Sequence, residues 1–225
     1  MHLKKLVALC GAISLLSAGA ASAATTVSVR VEGLKRPLLA PAAVHTHTGS
    51  ITKGGAPQGG CPAASAAGAL DVATHHRWAG KWYSSFNDYL IQKILGEAEN
   101  GTTSYWGIWV NNRFATTGVC EIKLHNGDQL LFAADSVKHH EHPIGIKAPR
   151  TATVGHTFNV RIVSFSDSGK ATPLAGAQLS VAGKTFAADK NGIVPLKPSR
   201  AGTAQLTAAK AGYIRPAPVS LRVTG

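Results

Sequence analysis

The sequence contains none of the local motifs that usually reveal an enzyme. It has no Gly-x-Ser-x-Gly, no His-Glu-x-x-His, no phosphate-holding glycine loop and no Cys-x-x-Cys. A Ser-x-x-Lys stands at residues 50–53, but it lacks its partner motifs and lies in a stretch with the composition of a loop. These absences predict that the protein is not an enzyme and that it has no catalytic cofactor.

Cysteine is scarce, and its distribution separates a leader from the rest of the chain. Residues 1–23 combine Lys4 and Lys5 with an apolar run that ends in Ala-Ser-Ala, which is typical of a cleaved secretory signal peptide. With the leader removed, only Cys61 and Cys120 remain, and in an exported chain they predict one disulfide in preference to a reactive thiol. No later run is long and apolar enough to span a bilayer. We therefore predict a secreted or envelope-associated protein whose mature chain has no transmembrane segment.

Acidic residues are scarce in the C-terminal part of the chain. Residues 24–142 carry ten basic and nine acidic groups, whereas residues 143–225 carry eleven basic groups and only Asp167 and Asp189 as acids. Aromatic residues are not interleaved with this charge, and export keeps the protein away from nucleic acid, so nucleic acid is not a predicted partner. Two interpretations stay open: a basic surface that only aids solubility, and one that docks to an anionic envelope polymer.

The hydrophobic pattern of residues 24–137 predicts an α+β domain. Val27, Val29 and Val31 alternate with polar residues, as in a half-buried strand. Small and apolar residues at three- and four-residue spacing predict a helix over about residues 62–76. Strands are predicted on both sides of this helix, so the economical packing is one helix on a mixed sheet of four or five strands.

A His-rich linker at residues 138–143 is predicted to lead into a second domain at residues 144–225. Five short strands at nearly regular intervals, separated by turn residues and without a helical stretch, predict a small β-sandwich. We predict that His139, His140 and His142 are solvated and form no metal site, because no cysteine or second ligand pair has the spacing of a structural zinc site. Adventitious binding of zinc or copper by such a tract is the alternative.

Three motifs follow one another along residues 26–133. They are Ala69-Leu70-Asp71 in the predicted helix, Trp106 and Trp109 with Val110-Asn111-Asn112, and Gly127-Asp128 before an apolar strand. This set resembles a bacterial domain of uncharacterised function that is related to the C-terminal domain of transcobalamin and intrinsic factor. The family often has glycine where this chain has Asn112. The resemblance implies a β-grasp-like fold and weakly implies cobalamin as a ligand, although the vertebrate carriers need a second, helical domain that this sequence lacks.

The C-terminal half has glycines at the turns of a repeating strand pattern. They lie in Pro173-x-x-Gly176-Ala177, in Asp189-x-x-Gly192, at Gly202 and in Gly212-Tyr213. This pattern resembles the carboxypeptidase-regulatory or prealbumin-like, Ig-like sandwich modules of bacterial surface proteins. The resemblance implies a spacer or a support for adhesion.

The candidate ligand site lies on the predicted strand SYWGIWV and the turn after it, residues 104–112. Because side chains alternate between the two faces of a strand, one face is predicted to pack on the helix with Trp106, Ile108 and Val110. The opposite face, predicted to be open, comprises Tyr105, Gly107, Trp109 and Asn111. A planar or sugar-like ligand would lie over Gly107 between the aromatic rings. In the alternative interpretation Trp78, Trp82 or the second domain covers this face.

The predicted function combines these observations. The protein is expected to be a non-enzymatic extracellular or envelope protein, with an unknown ligand or surface bound by the N-terminal domain and a basic sandwich acting as spacer or docking module. The alternative is a carrier or capping domain for a corrinoid-like small molecule, in which Tyr105, Trp109 and Asn111 cap the ligand.

Overall fold

The computed structural model describes residues 24–225, so the predicted signal peptide at residues 1–23 lies outside the described residues. The first domain contains one α-helix and eight strands among these residues. They are β1 (Thr26–Glu32), β2 (Pro37–His45), α1 (Ala66–Ala73), β3 (Trp78–Tyr83), β4 (Asp88–Ile94), β5 (Glu97–Ala98), β6 (Ser104–Val110), β7 (Arg113–Phe114) and β8 (Gln129–Ser136). A short 3₁₀ turn, Lys53–Gly55, precedes the helix. Within the described part of the chain, no helix is long and apolar enough to cross a membrane.

A five-stranded mixed sheet forms the centre of the first domain. Its strand order is β2-β1-β8-β6-β7, with β1 and β8 parallel and the other neighbours antiparallel. The predicted alternation in β1 is confirmed, because Val27, Val29 and Val31 are all buried. Helix α1 packs on this sheet with Leu70 fully buried among small alanine side chains, whose size lets the helix approach the strands closely.

The helix is shorter than the prediction of about 62–76. It begins at Ala66 because residues before it pair with other segments, and Ser65 bridges to Lys123. It ends at Ala73 because His75 and His76 adopt left-handed backbone angles, with φ of 50° and 64°, which a right-handed helix cannot contain.

The predicted mixed sheet of four or five strands with one helix on it is present, whereas strands β3, β4 and β5 form a separate three-stranded sheet that was not predicted. The hairpin β3–β4 inserts Trp78, Ile91 and Ile94 into the same core that the helix and main sheet share. It packs on that core as a separate sheet, without strand pairing to the main sheet. The predicted disulfide between Cys61 and Cys120 is confirmed, and both cysteines are buried.

The second domain is entirely β among the residues described. Its strands are β9 (His142–Lys147), β10 (Thr151–Thr153), β11 (Phe158–Phe165), β12 (Ala171–Pro173), β13 (Gln178–Val181), β14 (Lys184–Ala187), β15 (Ile193–Leu196), β16 (Gly202–Ala209), β17 (Tyr213–Ile214) and β18 (Val219–Thr224). They form two layers, β10-β18-β16-β13-β14 and β12-β11-β9-β17, with β15 paired to β11. All five predicted strands are present. The first strand, β9, starts at His142, within the stretch predicted as a linker.

The two domains share a small apolar core. Trp109, Leu131 and Ala133 on the main sheet of the first domain pack against Ile214 of the second, with Phe114 at the side. An ion cluster lies beside it, in which Glu32 accepts hydrogen bonds from Arg30 and Arg215 at 3.1 Å each. Burial raises the pKa of Glu32, while the two guanidinium groups oppose this shift. The face of the sheet opposite the helix is therefore the domain interface.

Candidate functional site

Strand β6 has the two faces that the sequence predicts. Trp106 and Ile108 are buried in the core beneath the helix, and Val110 packs against the same core. The opposite face is not open, because the second domain covers it, as the alternative interpretation of the sequence holds. Trp109, the proposed aromatic platform, is fully buried.

Gly107 and Trp109 leave no gap for a ligand. A Cβ atom at Gly107 would lie 2.6 Å from the Trp109 ring, so the ring occupies the space above the glycine. The glycine is required here for that close approach. Gly107 makes room for the side chain of Trp109, and the prediction of a ligand gap over Gly107 is wrong.

Tyr105 and Asn111 have structural partners as well. The Tyr105 hydroxyl donates to Asp135 at 2.7 Å, and burial together with that carboxylate raises the pKa of Tyr105. Asn111 is exposed at the hairpin turn after β6, where it and Asn112 have φ of 51° and 65°. Such angles suit a two-residue turn of the kind that joins twisted strands, and asparagine tolerates them. The Asn111 side chain donates to Asp128 at 2.7 Å and accepts from the backbone of Gln129 at 2.9 Å.

The largest exposed apolar side chains of the first domain's hairpin define a different candidate site. Phe86 is 72% exposed and Leu90 is 45% exposed, although both are hydrophobic. They border a cleft of about 490 Å³ between the β3–β4 hairpin and the segment before Cys120. Its walls also include Tyr83, Asp88, Tyr89, Thr116, Thr117, Gly118 and Glu121. We call this the hairpin cleft.

The carboxylate of Asp88 fastens the two sides of the hairpin cleft together. Its Oδ1 accepts the backbone N–H of Tyr89 at 2.6 Å on the hairpin and that of Cys120 at 3.1 Å on the opposite segment. Gly118 lies against the same carboxylate, and a Cβ at this position would stand only 2.0 Å from Asp88 Oδ2. The disulfide to Cys61 anchors this segment at the same residue, Cys120. The cleft therefore has a fixed floor beneath its exposed apolar rim.

The polar groups in the hairpin cleft are mainly acceptors or hydroxyls. Burial raises the pKa of Asp88, and the nearby charge of Glu121 adds to this shift against the backbone hydrogen bonds. Glu121 itself is exposed, and Thr116 and Thr117 contribute hydroxyl groups. The arrangement favours a neutral or cationic ligand with an apolar surface over an anionic ligand.

A second carboxylate, Asp71, holds the base of the same hairpin to helix α1. It accepts the indole N–H of Trp78 at 2.7 Å, lies 2.6 Å from His76 Nδ1, and pairs with Lys53 Nζ at 3.1 Å. Burial raises the pKa of Asp71, but the hydrogen bonds from Trp78, Lys53 and His76 outweigh burial, and the net shift is downward from 3.8. Asp71 is thus a structural support for the hairpin cleft.

We expect Asp71→Asn to lower the free energy of unfolding by about 2 kcal/mol at neutral pH, because a buried, charge-assisted hydrogen-bond network is weakened. A carboxyl with a lowered pKa in the folded state stabilises the fold above its unfolded pKa, and this stabilisation is lost as the pH falls through the folded pKa. The folded pKa lies below 3.8. Urea denaturation at several pH values should therefore show that the difference in the free energy of unfolding between wild type and variant becomes smaller in acid. Glu121→Gln, at an exposed carboxylate, should change the free energy of unfolding only slightly at every pH. An equally small change for Asp71→Asn would contradict the structural role of Asp71.

Over residues 24–225 the chain is β-rich, with two main hydrophobic cores, one disulfide and the hairpin cleft with its exposed apolar rim. Comparison with protein families finds the Domain of unknown function (DUF4430) at residues 69–136. All the residues that line the hairpin cleft lie inside the matched segment. Comparison with curated proteins finds no match to this chain.

The hairpin cleft is not predicted from the sequence, although the sequence contains one signal of it. Phe86 stands in the polar turn sequence Ser84-Ser85-Phe86-Asn87-Asp88, where a large apolar residue has no local partner. Asn87 completes the turn with φ of 50°, which directs the chain back into β4. The signal is therefore an apolar side chain that the hairpin leaves exposed, beside Leu90 at the rim of the cleft.

The histidine tract is placed differently from the prediction of a solvated linker. His139 is exposed, as expected. His140 is half-buried and its ring stacks on Trp109, with centroids 5.8 Å apart, and His142 begins strand β9. Asp167, which the sequence offered no reason to group with these histidines, lies 2.9 Å from His140 Nε2.

Proposed function

We propose that this protein is an exported, non-enzymatic binding protein of the cell envelope or extracellular space, and that its first domain binds a ligand in the hairpin cleft. The observation that carries the proposal is the exposure of Phe86 and Leu90 at the rim of a cleft with a fixed floor. Exposed apolar side chains that surround a recess mark a binding surface. The disulfide and the predicted signal peptide support export.

The chemistry of the lining favours a ligand with a ring. Phe86 and Tyr83 offer apolar ring surfaces, and Leu90 extends the apolar rim. Asp88, Glu121 and the threonine hydroxyls offer acceptors for hydroxyl or amino groups at the edge of such a ring. A neutral or amino-bearing sugar unit of an envelope glycan combines these two properties, and it is the ligand class that we propose.

The second domain would act as a basic spacer or docking module. Residues 143–225 carry eleven basic and two acidic groups, a field that attracts anionic envelope polymers without specific contacts. The hairpin cleft has the opposite electrostatic character, since its ionisable lining residues are Asp88, Glu121 and two tyrosines. The two domains would therefore recognise different parts of the envelope.

The finer assignment of the first domain as β-grasp-like, related to the C-terminal domain of transcobalamin, also belongs to this proposal. The parallel pairing of β1 with β8 beside a single packed helix supports it. The corrinoid alternative loses the capping surface on which it was based, because Trp109 is buried. A corrinoid would have to use the hairpin cleft, and cobalamin is therefore included as a test ligand.

The test measures binding of the purified protein to isolated cell-wall fragments by co-sedimentation. We expect the double variant Phe86→Ala/Leu90→Ala to bind about tenfold more weakly or worse, since apolar anchors in an interface contribute about 1 kcal/mol or more each. Both side chains are exposed, so the fold should be unaffected. Added cobalamin should neither shift its visible absorbance in the presence of the protein nor compete with the fragments.

The matched control is Leu34→Ala/Val137→Ala, which removes two apolar side chains of similar exposure, 55% and 53%, outside the hairpin cleft. This variant should bind like wild type. Equal binding by the cleft variant and wild type, with binding abolished only by high salt, would show that the basic domain carries the interaction and the cleft does not.

A further inference from the structure

Two imidazoles and a carboxylate converge at the junction of the two domains, away from the hairpin cleft. His140 lies between β8 and β9, His142 opens β9, and Asp167 lies in the turn between β11 and β12. Each offers one ligand atom, and these atoms lie within 4.8 Å of one another. Asp167 is also tied to the first domain through its backbone carbonyl, which accepts the N–H of Phe114 at 2.9 Å.

Two of the three separations between these atoms are close to those around a small tetrahedral cation. Asp167 Oδ1 lies 2.9 Å from His140 Nε2 and 3.4 Å from His142 Nδ1. Zinc binds nitrogen and oxygen at about 2.0–2.1 Å, so neighbouring ligand atoms in a tetrahedral site stand about 3.3 Å apart. The three atoms could accept a cation with small side-chain adjustments.

The ring of His140 is held in the orientation that such a site needs. Its Nδ1 contacts Asp135, a fully buried carboxylate that also accepts the Tyr105 hydroxyl at 2.7 Å. Trp109 stacks on one face of the ring, and Phe114 packs edge-on at 4.7 Å between centroids. A carboxylate behind a histidine fixes the tautomer whose Nε2 can bind metal, as in many zinc proteins.

One buried polar atom of the cluster lacks a hydrogen-bond partner among the described residues. His142 Nδ1 is buried and makes no hydrogen bond. His140 lies between two carboxylates, Asp135 and Asp167, so each of its ring nitrogens faces an anionic group. A cation between His140 Nε2, His142 Nδ1 and Asp167 would give the unpaired nitrogen of His142 a partner.

We propose that His140, His142 and Asp167 bind one divalent cation of the zinc class at the domain junction. Two imidazoles and one carboxylate suit Zn²⁺, with water at the remaining position, since the Asp167 side chain is 57% exposed. The ion links the turn after β11 to the segment that leaves the first domain. It stabilises the junction by binding only the folded arrangement.

The test titrates the chelator-treated protein with Zn²⁺ by calorimetry and, in parallel, with Co²⁺ by visible absorbance. We expect one ion per chain, ligand-field absorbance of four-coordinate Co²⁺, and a higher thermal midpoint with zinc. His142→Ala and Asp167→Asn should each weaken zinc binding by more than about 100-fold. Loss of a residue that only hydrogen-bonds to a metal ligand already lowers metal affinity by about 10- to 100-fold, and these two residues are ligands themselves. Asp167 is exposed, so its substitution leaves the fold intact.

His139→Ala is the matched control, because His139 is an exposed histidine of the same tract that points to no ligand set. It should keep the zinc affinity of wild type. The proposal is overturned if the protein binds no zinc, which would leave His140 as a bridge between two carboxylates. It is also overturned if His142→Ala and Asp167→Asn bind like wild type while His139→Ala does not, the behaviour of an adventitious ion on the tract.

Discussion

Replacement of both Cys61 and Cys120 by alanine is expected to lower the free energy of unfolding by about 4 kcal/mol, the value for a closed loop of this size. The disulfide joins residues 59 apart in sequence. It connects the segment before α1 to the segment that forms one wall of the hairpin cleft. Its loss therefore frees both the core and the cleft. Urea denaturation followed by tryptophan fluorescence measures the effect as a lower midpoint.

Reduction of the wild-type protein provides a control that changes no residue. A reductant should destabilise wild type by a similar amount and leave the alanine variant unchanged. A loss below about 1 kcal/mol, which is ordinary for a substitution of no special consequence, would contradict the role given to this bond.

The second large effect is expected for Trp109→Ala. The side chain is fully buried and belongs to the core cluster that contains residues of both domains. Truncating a buried aromatic side chain to alanine costs about 3–5 kcal/mol. Here the cavity would also open the domain interface, so we expect the two domains to unfold in separate steps and the junction to become sensitive to protease.

Trp109→Phe separates the packing role of this residue from a polar one. The indole N–H of Trp109 has no hydrogen-bond partner among the described residues. Phenylalanine would keep most of the apolar volume and should recover most of the lost stability. Trp82→Ala, at a half-buried tryptophan outside the interface, should retain a single unfolding transition. If Trp82→Ala unfolded in separate transitions and Trp109→Ala did not, loss of the domain interface would be excluded as the cause of separate unfolding.

The features that the sequence predicted correctly depend on local periodicity. Alternation in β1 buries Val27, Val29 and Val31, and alternation in β6 sends Trp106 and Ile108 toward the helix. These patterns repeat every two residues, so they are visible without knowledge of the rest of the chain. The disulfide required only a count of cysteines in a chain predicted to be exported.

The features that the sequence could not predict depend on contacts between distant segments. Trp109 is buried because Ile214 of the second domain reaches the sheet, and nothing near Trp109 in sequence indicates this. His140 is bonded to Asp167 because the turn after β11 lies at the junction. The hairpin cleft forms because Asp88 binds the backbone of Cys120, which also closes the disulfide.

The open-face prediction failed for an identifiable physical reason. A strand in a sheet with one helix has a second apolar face, and this face can bind a ligand or another domain. Arg30 and Glu32 on the neighbouring strand share the face and form an ion cluster with Arg215 of the second domain. A charged pair beside the aromatic residues is therefore the signal that would have favoured a domain interface.

The most direct test of ligand binding in the hairpin cleft locates the residues whose backbone amides are protected from exchange when the protein is bound to cell-wall fragments. Hydrogen exchange with mass spectrometry, compared between free and bound protein, resolves the backbone segments involved. If the hairpin cleft binds the ligand, residues 83–90 and 116–121, which line it, become protected, and exchange in residues 105–111 behind the domain interface stays unchanged. Protection confined to residues 143–225, or protection of residues 105–111 without the cleft, would contradict ligand binding in the hairpin cleft.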